Sequence, residues 1–149
     1  MTNDPGFTAP TRVERIFNAA IGWLVGHGLG PSHMRILEVR GRRSGRTYTM
    51  PVDLLEHAQG LYLVAPRGRT QWVRNLEVAG TGELRVGRRV EEFRAVAVPD
   101  AGKVDILRDY LHHWKMEVGV FFDGVGPDAS DAELAAIAPG YPVFQIEPV

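Results

Sequence analysis

The fold is decided by one stretch of the sequence, Arg35-Ile-Leu-Glu-Val-Arg-Gly-Arg-Arg-Ser-Gly-Arg-Thr-Tyr-Thr-Met-Pro-Val52. Ile36, Leu37 and Val39 before the glycines, and the Thr-Tyr-Thr run after them, are residue types that favour β-strands. The two glycines permit backbone angles that other residues avoid. We therefore predict a strand, a tight turn and a second strand.

Three arginines and a serine occupy the predicted turn: Arg42, Arg43, Ser44 and Arg46. Guanidinium groups beside exposed amides and a hydroxyl group can bind a phosphate or a carboxylate. On local composition alone, the alternative is a hairpin tip that its charge keeps soluble. The whole chain has a formal net charge of −1, so the turn is a local excess of positive charge. Such an excess favours a small anionic ligand over a nucleic acid.

The composition predicts a globular protein of one domain. The chain has 149 residues, of which 44% are hydrophobic and 23% are charged. It has no cysteine, which excludes disulfides and thiolate metal sites and fits a cytoplasmic location. His112 and His113 are adjacent on a predicted helix, where successive side chains diverge by about 100°. No spacing of His, Asp and Glu indicates a metal site.

Taken in order, residues 1–10 predict a flexible arm and residues 11–149 a single domain. Residues 11–26 have the apolar spacing of a helix that packs on a sheet, and contact with a membrane surface is the alternative. Further strands are predicted over 60–65, 83–87, 91–98 and 141–147. Further helices are predicted over 70–78, 100–118 and 130–138, with Thr70, Asp100 and Ser130 as caps.

Hairpin-linked strands dominate this order, which favours the α+β class. We predict a mostly antiparallel sheet of about six strands, curled into a small barrel with helices packed outside. Strand 60–65 is almost continuously apolar, so we predict that it is buried on both faces. A doubly wound parallel sheet is disfavoured because no glycine-rich dinucleotide fingerprint follows a strand.

The order of four motifs resembles the deazaflavin-dependent nitroreductase family. They are Gly41-Arg-Arg-Ser-Gly45 with Thr49-Met-Pro51, Ala65-Pro-Arg-Gly68, Trp72-Val-Arg-Asn-Leu76 and Tyr141-Pro-Val-Phe-Gln-Ile-Glu-Pro148. The resemblance implies a split β-barrel that binds the deazaflavin coenzyme F420. It also implies an oxidoreductase that passes hydride from the reduced cofactor to an apolar organic acceptor, such as a quinone or a nitro-aromatic compound. Members of this family are typical of actinobacteria.

The resemblance also implies which residues hold the cofactor, whose tail carries a phosphodiester and several carboxylates. Arg43 and Ser44 match the positions that meet the phosphate, and Arg67 matches a basic position after the third strand. Tyr48 stands where many members carry a basic residue, which makes Arg46 the candidate to compensate. The full set of implied contacts is Arg42, Arg43, Ser44, Arg46, Tyr48, Met50, Pro51, Val52, Ala65, Pro66, Arg67, Gly68, Trp72 and Asn75.

Two other functions stay open at this point. The same barrel could hold flavin mononucleotide (FMN), or it could carry a cofactor or a lipid without turnover. A single phosphate needs fewer cations than a polyanionic tail, so the arginines of the two loops favour the deazaflavin over FMN. These arginines are Arg42, Arg43, Arg46, Arg67 and Arg69.

No residue is assigned as catalytic, because hydride transfer needs no diagnostic side chain. The proton that follows the hydride would come from water or from a tyrosine. Near the acceptor, the candidates are Tyr110, Trp114, Phe121 and Phe122, and core packing is favoured for each of them. The expected partner is a small redox substrate, and pairing of two copies through their sheets stays open.

Overall fold

The computed structural model describes residues 33–122 and 124–149. The predicted arm (residues 1–10) and the predicted helix (residues 11–26), with its alternative of membrane contact, lie outside the described residues. No helix in the described part is both long and apolar enough to cross a bilayer.

Six antiparallel strands form a closed barrel, as the sequence predicts. They are β1 (Met34–Arg40), β2 (Thr47–His57), β3 (Gly60–Val64), β4 (Thr81–Val86), β5 (Arg89–Ala97) and β6 (Val143–Pro148). Their order around the barrel is β1-β2-β3-β6-β5-β4. The α+β class and the barrel architecture are confirmed.

The first hairpin forms in the predicted place. Leu37 on β1 pairs with Met50 on β2, and Val39 pairs with Tyr48. Because side chains alternate across a strand, this register places Leu37, Val39 and Met50 on one face. Leu37 and Val39 are buried there, which fixes the register of the hairpin.

Two hydrophobic clusters make up the core. The first fills the barrel with side chains from all six strands, among them Leu63, Leu84 and Phe144. Helix α1 (Gln71–Ala79) adds three buried side chains to this cluster. The second cluster joins Leu55 on β2 and Val143 on β6 to helix α2 (Val104–Val118) and helix α3 (Asp131–Ile137). The predicted arrangement of helices outside the sheet is confirmed for α2 and α3.

The predicted caps have three different outcomes. Ser130 and Glu133 form the predicted capping box at the start of α3. Thr70 is the N-cap of α1, but its side chain makes no capping hydrogen bond. The Asp100 prediction was wrong about the helix start, because a 3-10 turn (Asp100–Gly102) precedes α2, which begins at Val104.

Strand β3 is buried on both faces only near its end. Leu63, Val64 and Ala65 are buried, whereas Leu61 is 38% exposed. The prediction of burial on both faces was therefore wrong for the first half of the strand. Val64 packs with α2 and α3 outside the barrel, whereas Leu61 lies on the same face of the strand as Leu63 and lines an open cavity.

Candidate functional site

The arginine turn (residues 41–46) closes on itself through backbone hydrogen bonds. The Gly41 amide donates to the Arg46 carbonyl at 2.7 Å, and the Gly45 amide donates to the Gly41 carbonyl at 3.1 Å. Gly45 has φ = 72°, a left-handed conformation that glycine adopts at little cost. The turn therefore has a defined backbone conformation.

Arg42 ties the turn to helix α1. Its backbone amide donates to Asn75 Oδ1 at 3.1 Å, and its Nη1 donates to the same oxygen at 2.7 Å. Its Nη2 donates to Gln71 Oε1 at 3.0 Å. Asn75 is only 3% exposed, so this link lies at the base of the turn. The guanidinium group of Arg42 is therefore directed at the helix.

Arg43 and Arg46 are exposed, and their side chains make no ion pair or hydrogen bond with any other described residue. Ser44 Oγ accepts from the Arg46 amide at 3.2 Å and lies 3.4 Å from the Tyr48 hydroxyl group. The amides of Arg43 and Ser44 have no acceptor in the part of the chain that the structure describes. Two unpaired cations beside two unpaired amides form a donor set suited to an anion.

The second predicted loop, the Arg67 loop (residues 66–70), presents its cations differently. The Arg67 guanidinium carbon lies 4.8 Å from the centre of the Phe121 ring, in a cation–π contact. Arg69 bonds to Glu77 on helix α1 at 3.1 Å. Gly68 is buried with φ = 79°, which lets the chain bend into α1. Both arginines of this loop are thus already engaged within the protein.

Four of the implied cofactor contacts, Met50, Val52, Ala65 and Trp72, belong to one hydrophobic cluster. Met50 and Val52 are half-buried on β2 and pack against the barrel core, which also contains the buried Ala65 and Trp72. Trp72 is 9% exposed, and its ring centre lies 6.2 Å from that of Phe144. Pro51 pairs with Ile36, in the register next to the Leu37–Met50 pair, and so lies on the opposite face of the strand.

The aromatic residues considered for the acceptor side mostly pack in the core. Tyr110, Trp114 and Phe122 are buried in the cluster outside the barrel. Phe122 stacks on Tyr141 with ring centres 4.1 Å apart, and the Tyr141 hydroxyl group donates to the Phe121 carbonyl. This contact fixes the segment that carries Phe121 under Arg67.

The histidines do not assemble a metal centre in the part of the chain that the structure describes. Asp109 on α2 bridges two of them, with Oδ2 at 2.8 Å from His57 Nδ1 and Oδ1 at 3.2 Å from His113 Nε2. The bridge joins β2 to α2. Its geometry is that of a structural link between two elements.

A cavity of about 510 Å³ opens elsewhere in the barrel. Apolar side chains from several strands line it, including Leu54, Leu61, Phe93 and Ile146, with Arg35 and Arg89 among the charged ones. None of the predicted cofactor residues lines this cavity. It is therefore separate from the arginine turn.

Sequence reasoning missed Gln71 and the pairing of Asn75 with Arg42. The available signal was the spacing of Gln71 and Asn75, because residues four apart lie on the same face of a helix. Two amide side chains on one face can accept hydrogen bonds from an arginine, and an arginine-rich turn was already predicted. What the sequence could not give was the distance between the turn and the helix.

Comparisons with known proteins identify a matching family and solved structures with a similar fold. The sequence profile of a family described as F420H2-dependent quinone reductase matches residues 11–118. A solved F420H2-dependent reductase, FDR-A, is 16% identical with a TM-score of 0.54, over 78% of this chain and 95% of that one. A structure described as a domain-swapped dimer is also 16% identical, with a TM-score of 0.57, over 91% and 94% of the two chains.

A third solved structure, general stress protein 26 from Bacillus anthracis, is 14% identical with a TM-score of 0.52, over 87% of each chain. At these identities the structures show a shared fold alone. No curated protein matches the sequence.

Proposed function

The chain belongs to the F420H2-dependent quinone reductase family, and we propose that it passes hydride from F420H2 to an apolar, electron-poor acceptor of the quinone type. Membership makes the protein an F420H2-dependent oxidoreductase with a small-molecule substrate. The family match confirms the family, the enzyme class and the cofactor predicted from the sequence. The identity of the acceptor and the residues that contact the cofactor are the proposal.

The observation that carries the proposal is the pair of unengaged arginines on the arginine turn. Arg43 and Arg46 are exposed without a partner among the described residues, next to the unpaired amides of Arg43 and Ser44. An anionic tail would satisfy all of these donors at once. The donor set therefore fits the phosphate and carboxylate groups of F420, and we assign it to them.

The first hydrophobic cluster, which fills the barrel, supplies the candidate wall of the pocket for the deazaflavin ring. Met50 and Val52 give partly exposed apolar surface, with the buried Ala65 and Trp72 packed behind them, and such surface suits a flat heterocycle. When bound, the deazaflavin supplies the hydride. The protein's own task is to orient the ring and exclude water, and holding two reactants in contact lowers the entropic part of the barrier.

Fluorescence titration with F420, run beside FMN, tests the cofactor site. We expect a Kd of about 1 μM or tighter for F420 and much weaker binding of FMN, because FMN has one phosphate for the same cations. A preference for FMN would overturn the assignment of the arginine turn. Steady-state oxidation of F420H2 with menadione then tests the acceptor class. Binding without turnover of any quinone would favour a carrier.

Two further sequence-based predictions are part of the proposal. We propose that residues 11–149 form one domain, which is supported by a family match that begins at residue 11. We also propose a homodimer, which is supported by the structural relative described as a domain-swapped dimer. Size-exclusion chromatography with light scattering measures the mass in solution and would exclude the dimer if it gave the mass of one chain.

A further inference from the structure

We propose that Asn75 is a positioning residue that acts through Arg42 to hold the arginine turn in its binding shape. In this arrangement Arg42 anchors the turn to helix α1, and Arg43 and Arg46 receive the anionic tail. The inference rests on the proposed function for its ligand, but its structural half concerns the protein alone.

The first support is the way Asn75 uses its carbonyl oxygen. Asn75 Oδ1 accepts from the Arg42 amide at 3.1 Å and from Arg42 Nη1 at 2.7 Å, across 33 residues of sequence. Both partners can only donate, so the acceptor must be the oxygen of the side-chain amide. Its two lone pairs are then occupied by one residue of the turn.

The second support is burial. Asn75 and Lys103 are the two buried polar or charged residues among those that the structure describes. A buried amide is costly unless it is hydrogen-bonded, so Asn75 depends on Arg42 as much as Arg42 depends on Asn75. A side chain 3% exposed also presents little surface to a ligand. Its contact with the turn is therefore its main interaction.

The third support is the direction of the Arg42 side chain. Nη1 and Nη2 point to Asn75 and Gln71 on α1, whereas the next residue, Arg43, is exposed and unpaired among the described residues. The backbone bonds inside the turn set its local shape, and the bonds from Arg42 set its place on the barrel. Fixing the Arg42 backbone therefore fixes where the Arg43 side chain begins.

Amide hydrogen exchange of the free protein, followed by NMR, tests the structural half. Asn75→Leu keeps the approximate volume and removes the acceptor, and we expect the Arg42 amide to exchange about tenfold faster. Asn75→Asp keeps the acceptor and should leave that amide protected. Gln71→Ala is the matched control, because it removes only the exposed contact with Nη2. Unchanged exchange in Asn75→Leu would overturn the proposal.

A double-mutant cycle for F420 binding tests the functional half. We expect Asn75→Leu to raise the Kd about tenfold and Arg42→Ala to raise it by no more than that, because the alanine keeps the amide bond to Asn75. The double variant should bind no more weakly than Asn75→Leu. Additive losses would mean that Asn75 meets the cofactor directly, and would overturn the proposal. If Asn75→Leu does not fold, Arg42→Ala, which removes the Nη1 bond to Asn75 and keeps the amide bond, is compared with Gln71→Ala, which removes only the Nη2 bond.

The two halves fail separately. If the parent protein does not bind F420, the proposed function fails, while the exchange data still decide whether Asn75 anchors the turn. If the parent binds F420 and Asn75→Leu binds it equally well, the cofactor assignment stands and the positioning role is wrong.

Discussion

The arginine turn and the Arg67 loop have similar composition, but they differ in whether their arginine side chains are available to a ligand. Each combines glycine with arginine and contains a glycine in the left-handed region, Gly45 or Gly68. In the arginine turn, Arg43 and Arg46 are exposed and unpaired among the described residues. In the Arg67 loop, by contrast, the guanidinium groups lie on Phe121 and on the Glu77 carboxylate.

The number of arginines in a loop is therefore only an upper limit on the positive charge available to a ligand. A guanidinium group that already stacks on a ring or pairs with a carboxylate must leave that partner before it can bind an anion. The sequence placed five arginines near the cofactor, and the geometry directs three of them, Arg42, Arg67 and Arg69, to other parts of the protein. Arg43 and Arg46 remain as the primary candidates.

The largest expected effect is on stability. It compares a buried residue next to the Arg67 loop with an exposed residue next to the arginine turn. Trp72 follows the Arg67 loop and is buried, whereas Tyr48 beside the arginine turn is 49% exposed. We expect Trp72→Ala to lower the free energy of unfolding by about 3–5 kcal/mol, because it removes a large buried ring. Tyr48→Ala should cost about 0.5 kcal/mol or less, as a surface change. Urea denaturation measures both, and equal losses would show that the arginine turn is as deeply built into the core.

The next effect concerns ligand affinity. We expect Arg43→Ala to weaken F420 binding by about 1.5–3 kcal/mol, through loss of a charge-assisted hydrogen bond. Arg46→Ala should act in the same direction. The matched control is Arg69→Ala, which removes an arginine already paired with Glu77 and should change affinity less. Fluorescence titration measures all three, and an Arg43→Ala protein that binds like the parent would remove the basis of the anion site.

A smaller effect is expected where Arg67 lies on Phe121. The cation–π contact should contribute about 0.5–1 kcal/mol to the free energy of unfolding at a partly exposed site. Arg67→Met keeps much of the length of the side chain and loses the charge, and Phe121→Leu removes the ring. Thermal and urea unfolding of both single variants and of the double variant give the coupling energy. A coupling of zero would mean that the two side chains are neighbours without a net interaction.

The smallest effect would make the Arg67 loop more like the arginine turn. Glu77→Gln removes the charge that faces Arg69, and the pair is well exposed, so stability should change by no more than about 0.5 kcal/mol. The Arg69 side chain is then held less strongly against α1. We expect F420 affinity to stay equal or to rise by about twofold, because a nearby carboxylate has been neutralised. Weaker binding would show that Glu77 has a role of its own in the site.

Much of the fold could be predicted from local sequence patterns. The strand-favouring residues Ile36, Leu37 and Val39 specify a strand, and the capping box at Ser130 specifies a helix start, through nearby residues alone. Thr70 shows the limit of this reasoning, because its position was right and its capping bond is missing. Exposure of Leu61 was also beyond the sequence, because Leu61 lines a cavity formed by side chains from several distant strands.

The sequence predicted which residues belong to the candidate site. It did not predict which of their side chains are engaged by other parts of the protein. Arg42, Arg43 and Arg46 are indistinguishable in composition, and only the distance from the turn to α1 separates Arg42 from the others. Similarly, Phe121 could not be matched with Arg67, because they are 54 positions apart and no local rule joins them. Contacts across long stretches of chain decide which charges remain available.

Strand β6 has a consequence for the order of events during folding. It follows the other five strands along the chain, yet it lies between β3 and β5 and pairs with both. Until residues 143–148 have left the ribosome, β3 and β5 each carry an unpaired edge, and such edges attract other extended chains. The barrel can therefore close only after β6 has been made, when the helical connection from β5 has been brought back at an entropic cost.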